Sequence, residues 1–343
     1  MAVSPLLRKT MVYCLSGAVV LIVLFIIGIL TGPSDFAPDQ LFRALAHPQP
    51  GDEVVRAIIL EARLPRAITA MASGAGLALC GLLMQSLFRN PLAGPSVLGI
   101  TSGASLCVAL LVLGQAALAW PAASSGGPAV VAAGILGAAA VLMLVMTASA
   151  RLGNTTSLLL FGILLGHFVG AVESVLQHRA AATSLRSFVL WGMGRFTETP
   201  LPAALFLLML TLAAFLVARR MAPALNLFML GETYARSMGM HVRRFRMGVV
   251  ALTGIVAGSI TAWCGPVAFI GLAMPHVARL VLSTSDHRAL AWPLAITGAA
   301  AGLLSDLLAR WGSVPLNAVT SLIGAPIVIL IIFRNGSFLR RTP

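Results

Sequence analysis

The stretch Arg66–Phe88 reads RAITAMASGAGLALCGLLMQSLF and is followed at once by Arg89. No charged residue interrupts it after Arg66, and its length fits the roughly 20 apolar residues that a helix needs to cross the hydrocarbon core of a bilayer. Comparable runs recur along the chain, since 59% of its 343 residues are hydrophobic and only 10% are charged. This composition excludes an ordinary water-soluble globular protein and predicts an integral membrane protein.

Apolar runs bounded by turn residues predict about ten transmembrane helices, and therefore an all-α, polytopic membrane protein. They leave no room for a sizeable soluble domain, so we expect residues 1–343 to form a single transmembrane domain. The first run is long enough for a retained helix rather than a secretory signal. The ten predicted helices lie near 11–31, 66–88, 97–118, 128–149, 155–177, 201–218, 246–265, 268–283, 290–310 and 316–333.

Ten crossings place both chain ends on one side of the membrane, and the charges indicate which side that is. When the loops are assigned alternately, the arginine-rich loops fall with the two ends and carry the whole formal net charge of +13. Basic and acidic residues balance on the other side. Because basic loops stay in the cytoplasm, the positive-inside rule predicts cytoplasmic termini.

The sequence lacks the residues that three other classes of function require. The arginines are scattered between apolar runs and form no contiguous basic face, which argues against a nucleic-acid partner. The four cysteines show no Cys-x-x-Cys spacing, so we expect buried apolar side chains and no metal or cofactor in this chain. Lys9-Thr10 lacks the preceding glycines of a P-loop, so we do not expect this chain to hydrolyse ATP itself.

The largest loop on the predicted cytoplasmic side spans 219–246. Within it, Leu225–Gly239 carries apolar residues at helical spacing on both sides of Gly231, which predicts two short amphipathic helices that meet at a break. Their apolar faces need a partner. One candidate is a cytoplasmic protein. The other is the membrane surface, where anionic lipids would attract Arg243, Arg244 and Arg246.

Two features indicate a pathway through the membrane. The run Gly265–Arg279 interrupts an apolar stretch with glycine and proline, and membranes tolerate such broken helices only inside protein or beside a cavity. The fifth predicted helix carries glycines four residues apart, among them Gly166 and Gly170, with His167 near its middle. His167 either lines the pathway or forms a neutral hydrogen bond between helices, and Glu173 either joins it or reaches water at the outer end.

Arginines mark the predicted outer surface at two helix ends. Arg63 and Arg66 open the second helix, and Arg310 closes the ninth, close behind Asp306. These guanidinium groups either pair with carboxylates of a soluble partner, or bind lipid headgroups and acidic residues of the same chain, such as Asp306.

Several short motifs occur in a set order along the chain. They are Arg63-Leu64-Pro65-Arg66, Arg89-Asn90-Pro91-Leu92-Ala93, Leu98-Gly99-Ile100, Gly231-Glu232 with Met238-Gly239, Gly265-Pro266 with Phe269-Ile270-Gly271-Leu272, Pro275-His276, Asp286-His287-Arg288 and Gly324-Ala325-Pro326. Together they resemble the permease family of ATP-driven importers for ferric siderophores, haem and cobalamin, known as type II importers. The resemblance runs from about residue 60 to the end of the chain.

The resemblance implies an assembly in the bacterial inner membrane. Two copies of the permease would form a homodimer around a central pathway, with membrane lipid outside it. Two cytoplasmic ATP-binding subunits would bind ATP and Mg²⁺, and a periplasmic substrate-binding protein would deliver the substrate.

The resemblance also implies three groups of functional residues. The coupling surface for the ATPase is expected at Leu230, Gly231, Glu232, Ala235, Arg236, Met238 and Gly239. Docking of the binding protein is expected at Arg63, Arg66 and Arg310. The pathway and its gate are expected at Gly166, His167, Gly170, Glu173, Trp191 and Gly194.

Departures from the family pattern bear on the substrate. The outer segment 176–199 differs from what a cobalamin permease is expected to carry, and Asn317 stands where many relatives have glycine. We therefore expect an iron chelate or haem, with cobalamin as the alternative. An ion-coupled secondary transporter that titrates His167, Glu173 or Asp306 is a second class of function, and a scaffold or passive channel is a third.

Overall fold

The computed structural model describes residues 5–32, 36–46, 49, 51–114, 128–152 and 154–334, and within these ranges it contains no β-strand. A π-helical turn, Ile58–Arg63, leads into the fourth helix, and a 3₁₀ turn, Pro95–Leu98, leads into the fifth. The α-helices are α1 (Pro5–Leu30), α2 (Pro38–Ala46), α3 (Glu53–Ala57), α4 (Leu64–Phe88), α5 (Ile100–Leu113), α6 (Pro128–Arg151), α7 (Thr155–Arg179), α8 (Ala182–Gly192), α9 (Leu201–Met229), α10 (Glu232–Ser237), α11 (Val242–Cys264), α12 (Ile270–Leu282), α13 (His287–Trp311) and α14 (Leu316–Arg334).

Ten of these helices are candidates to cross a membrane. Among the described residues, 7 are long and apolar enough by themselves, namely α1, α4, α6, α7, α9, α11 and α13. The shorter apolar helices α5, α12 and α14 complete the set. Each of the ten overlaps its predicted range in the predicted order, so the all-α, ten-helix prediction is confirmed.

Helix α4 forms the centre of the bundle. In its most apolar 18-residue window 94% of the residues are buried, against 6% for α1. It contacts α9, α11, α12 and α13. Alanine, serine and glycine fill the first half of α4, so neighbouring helices approach its backbone closely, as is typical of packing within membranes.

Glycines set the closest approaches of α4 to its neighbours. Gly74 lies against the backbone of Gly298 in α13, and Gly81 lies against the carbonyl of Gly271 in α12. A Cβ atom at either α4 position would overlap main-chain atoms, which cannot move aside as the tip of a side chain can. These contacts therefore require glycine.

A second layer contains α5, α6 and α11, which pack on one another. Gly103 of α5 and Gly137 of α6 again bring two backbones together. Helix α7 packs on α5 and α6 but keeps a large uncovered face, since only 17% of its apolar window is buried in this single chain.

The structure corrects one sequence prediction. Leu225–Leu230 is not a separate short helix, because α9 continues without a break to Met229. Pro223 removes one backbone hydrogen bond within α9. The helix persists because Ala222, Leu225 and Phe228 bury their side chains in the main core on either side of the proline. Only the second predicted helix of this loop, α10, exists as a separate element.

The helices run between two ends of the bundle. The terminal end, where α1 begins and α14 finishes, holds α10 and the α4–α5 and α12–α13 turns. The distal end, where α1 finishes and α14 begins, holds α8 and the α11–α12 break. Contacts such as Arg310 with the Gly28 carbonyl at the distal end, and Asn226 with Asp286 at the terminal end, tie elements within each end.

We predict that Gly81→Ala destabilises the protein by about 1–3 kcal/mol, because the added methyl group overpacks a backbone contact. The matched control is Gly248→Ala in α11, where the nearest foreign atom to an added Cβ is the Met221 Cε at 3.7 Å. That change should be neutral or stabilising, since alanine is the better helix former. Thermal unfolding in mild detergent measures the stability of both variants. Equal unfolding midpoints would contradict the close backbone contact at Gly81.

Candidate functional site

A short exposed helix occupies the terminal end between α9 and α11. Gly231 separates α9 from α10 with a φ of 126°, and Gly239 ends the turn after α10 with a φ of 83°. Both values lie in the region that favours glycine, so these two residues define the break that the sequence predicts at Gly231. Ala235 is fully buried and anchors α10 to the core.

The outer side of this segment carries an apolar stripe. Leu230, Tyr234 and Met238 follow one another at a spacing of four residues and are 69%, 49% and 62% exposed. Arg236 is also exposed, with 59% of its side chain accessible. Tyr234 was absent from the predicted coupling residues, although its spacing from the other two would have identified it.

Glu232 points into the protein and not outward. Its Oε1 accepts hydrogen bonds from Arg236 at 2.8 Å and from Arg246 at 3.2 Å, and its Oε2 accepts one from the Thr155 hydroxyl at 3.4 Å. Arg246 is only 2% exposed and also donates to the Leu152 carbonyl at 3.1 Å. Glu232 therefore ties α10 to α11 and to the turn that begins α7.

This geometry removes one of the predicted lipid contacts. Arg243 and Arg244 are exposed, whereas Arg246 is buried and cannot reach lipid headgroups. A sequence signal for this existed, because Arg246 lies four residues after the buried Val242 and three before the buried Val249, on the apolar face of α11.

A polar cluster joins α4, α9 and α13 at the same end. Asn226 Nδ2 donates to Asp286 at 2.6 Å. This orientation of the amide places the Asn226 Oδ1 toward His287. That oxygen accepts from His287 Nδ1 at 2.6 Å, and His287 Nε2 lies 2.6 Å from the Ser86 hydroxyl. Burial raises the pKa of Asp286, but hydrogen bonds from Asn226 and from two main-chain N–H groups outweigh it and hold that pKa below its usual range.

A neighbouring pair of contacts fixes the α4–α5 turn. His276 Nε2 lies 2.8 Å from the Pro91 carbonyl, and Arg279 donates to the Gln85 side chain at 2.7 Å. His276 and Arg279 thus tie α12 to α4 and to the turn that follows it.

At the distal end the three predicted docking arginines bind groups of their own chain. Arg66 and Arg310 contact the buried Asp306 at 2.8 and 3.1 Å. Arg310 also donates to the Gly28 and Thr31 carbonyls. The intrachain pairing with Asp306, one of the two expected alternatives, is therefore present for these two residues.

Arg63 is 4% exposed and donates to the carbonyls of Ile29 and Leu30 at 2.9 and 2.8 Å, which caps the end of α1. Its guanidinium also lies 5.7 Å from the centre of the Phe36 ring. A docking role for Arg63, Arg66 and Arg310 stays a prediction, and it would act through charges that already have partners.

The predicted pathway residues fall into two places. Gly166, His167 and Gly170 lie on α7, where His167 is exposed beside Leu164 and Phe168, which are 67% and 64% exposed. Among the described residues nothing lies within 4 Å of a Cβ placed on Gly170. Within the part of the chain that the structure describes, His167 thus lies on an open face, and no hydrogen bond joins it to another helix.

Of the other predicted pathway residues, Glu173 shares α7 with the first three, and Trp191 and Gly194 lie at the distal end. Glu173 is half-buried on α7 beside Ser105. Trp191 is 5% exposed and stacks on Phe188 with ring centroids 6.1 Å apart. Gly194 has a φ of 73° and lies against the α11–α12 break at the distal end. The residues predicted for pathway and gate therefore form two separate groups in one chain.

Comparison with known proteins identifies the architecture. The model of the FecCD transport family matches residues 20–334. The chain belongs to this family. The resemblance derived from the motifs is thereby confirmed, and the ten-helix bundle is the fold of an ABC importer permease.

Two relatives cover almost the whole of this FecCD family member. It is 35% identical over 320 residues to the hemin transport system permease protein HmuU of Yersinia pestis. This aligned region covers 92% of this chain and 94% of that protein. It is 31% identical over 333 residues to the vitamin B12 import system permease protein BtuC of Citrobacter koseri. This aligned region covers 96% of this chain and 96% of that protein.

A solved structure agrees with these matches. A metal-chelate type ABC transporter in an inward-facing conformation has a TM-score of 0.79 and 28% sequence identity, over 94% of this chain and 98% of that one. This FecCD family member is therefore a multi-pass membrane permease, a transport component of the ABC importer type.

We predict that Arg246→Leu lowers the free energy of unfolding by about 1–3 kcal/mol, because it removes a buried guanidinium that donates to both Glu232 and the Leu152 carbonyl and leaves that carbonyl without this donor. Arg236→Leu removes the other guanidinium from the same carboxylate. Because Arg236 is exposed, that change should cost only about 0–1 kcal/mol. Unfolding in detergent compares the two variants, and equal losses would show that Arg246 is not the residue that anchors α10.

Proposed function

We propose that the chain is the permease subunit of an inner-membrane, ATP-driven importer that carries an iron complex, a ferric siderophore or haem, from the periplasm to the cytoplasm. The observation that carries this proposal is the 35% identity to a hemin permease over 92% of the chain. The likeness to a solved metal-chelate type ABC transporter supports it.

The proposed assembly contains a second copy of the chain, two cytoplasmic ATP-binding subunits and a periplasmic binding protein. ATP and Mg²⁺ bind to the ATP-binding subunits. The terminal end faces the cytoplasm, because the loops at this end carry the excess of arginine. Each chain leaves an apolar face of α7 uncovered, with Leu164 and Phe168 exposed, which suits contact with the second copy across the pathway.

The stripe formed by Leu230, Tyr234 and Met238 is the surface offered to the ATP-binding subunit. Exposed apolar side chains on a loop that faces water need such a partner. The Glu232–Arg246 pair joins α10 to α11 and to the start of α7. A displacement of α10 is therefore passed to the helix that carries His167, and alternating access follows when the two nucleotide states dock differently.

Cobalamin is the second candidate substrate, because the chain is also 31% identical to a vitamin B12 permease over 333 residues. A competition experiment distinguishes an iron complex from cobalamin as the substrate. Uptake of radioactive iron as haem or ferric siderophore should persist in excess cobalamin and fall in excess unlabelled iron complex. Uptake of cobalamin that iron complexes do not reduce would contradict the iron assignment.

We predict that Tyr234→Glu or Met238→Glu abolishes association with the ATP-binding subunit and lowers uptake at least tenfold, because a carboxylate would be desolvated within an apolar contact. The control is Ser285→Glu, which adds the same charge at an exposed site on the terminal end, outside the 219–246 segment. Co-purification measures association. Retained association in both stripe variants would exclude this surface as the coupling site.

Glu232→Arg does not test the coupling surface cleanly. It would place a third guanidinium beside Arg236 and Arg246 and disrupt the fold of the segment, so a loss of transport would not identify a docking contact.

A further inference from the structure

A single amide at the distal end joins three separate elements. Asn317 lies in the first turn of α14. Its Nδ2 donates to the Gly192 carbonyl at 3.0 Å and to the Pro266 carbonyl at 2.8 Å, and its Oδ1 accepts from the Ala268 N–H at 3.0 Å. The Asn317 N–H also donates to the Met193 carbonyl at 3.1 Å. The end of α8, the α11–α12 break and the start of α14 therefore meet at this residue.

Only an amide satisfies all of these groups. An aspartate at position 317 would place a second oxygen against the carbonyls of Gly192 and Pro266, with no hydrogen to share. A glycine would leave both carbonyls and the Ala268 N–H without this partner. These groups are partly buried, and a polar group that loses its partner away from water costs more than an ordinary hydrogen bond contributes, so the Asn317 side chain bears directly on whether these elements stay together.

The backbones around Asn317 are already in contact. Gly265, with a φ of 72°, leaves no room for a Cβ beside the Trp191 carbonyl. The Arg195 N–H donates to the Cys264 carbonyl at 2.8 Å. Phe269, at the end of the break, has a φ of 62°, a conformation that costs energy in a residue with a side chain. Fixed hydrogen bonds and close backbones hold this strained break in place.

We propose that Asn317 is a latch that holds the distal end of the permease closed. The inference rests on the proposed function, in which this end opens toward the binding protein during transport. Opening must separate α8 from the α11–α12 break, and Asn317 bonds to both while it belongs to a third element. Because its side chain makes three of the hydrogen bonds across this junction, Asn317 sets how often the distal end opens in the resting permease. It acts as a positioning residue and need not touch the substrate.

Two native thiols provide the test. Cys264 lies two residues before Pro266, whose carbonyl Asn317 binds, and Cys80 lies within α4; both cysteines are 0% exposed. Cys14→Ala and Cys107→Ala remove the two partly exposed thiols. Iodoacetamide then modifies Cys264 only when the distal end opens, whereas Cys80 reports general loosening of the bundle. Mass spectrometry of the purified permease measures the rate at each site.

We expect Asn317→Gly and Asn317→Asp each to speed the modification of Cys264 by about tenfold, with Cys80 unchanged. The control is Thr320→Val, which removes a hydrogen bond from Thr320 to the Asn317 carbonyl within α14 and leaves the junction intact. It should change neither rate. An unchanged Cys264 rate in the two Asn317 variants would overturn the latch, and so would equal acceleration at Cys264 and Cys80.

This experiment uses neither substrate nor ATPase. A negative result would leave the proposed transport function standing, and a failure of iron uptake in the intact protein would leave the latch standing.

Discussion

The structure depends on the close approach of other backbones to α4. Gly74 and Gly81 bring α13 and α12 against this helix, and the remaining helices pack around that centre. In a bilayer, apolar side chains gain little by leaving lipid, so close packing between small residues takes the part that hydrophobic burial plays in water. The fixed centre in turn sets where both ends of the bundle place their polar groups.

Charged and polar contacts gather at those two ends. Asp306 with its arginines and the amide of Asn317 lie at the distal end, while Glu232 with Arg246 and the Asn226–His287 cluster lie at the terminal end. Asp306 is buried and contacts two arginines, so it fixes the helix ends at the distal end.

The sequence predicted the helices well because each depends on a local run of apolar residues bounded by turns. The break at Gly231 was equally readable, since it needs only a glycine between two helical patterns. The choice between partners of charged residues was not readable: Asp306 was one expected partner of Arg66, but the two lie 240 positions apart and periodicity could not decide between it and a soluble partner. Glu232 was predicted to contact the ATPase, whereas in the structure Arg246, 14 positions later in the chain, holds its carboxylate inside the protein. Asn317 was visible only as a departure from glycine, and its three contacts come from elements distant in the chain.

The central claim is that a separate ATP-binding subunit drives this permease from its terminal end. The direct measurement is uptake of an iron complex into liposomes that contain the permease and binding protein, with and without the ATP-binding subunit. The account predicts uptake only when that subunit and MgATP are present, and none from a pH gradient alone. Equal uptake without the subunit, driven by a pH gradient, would contradict it.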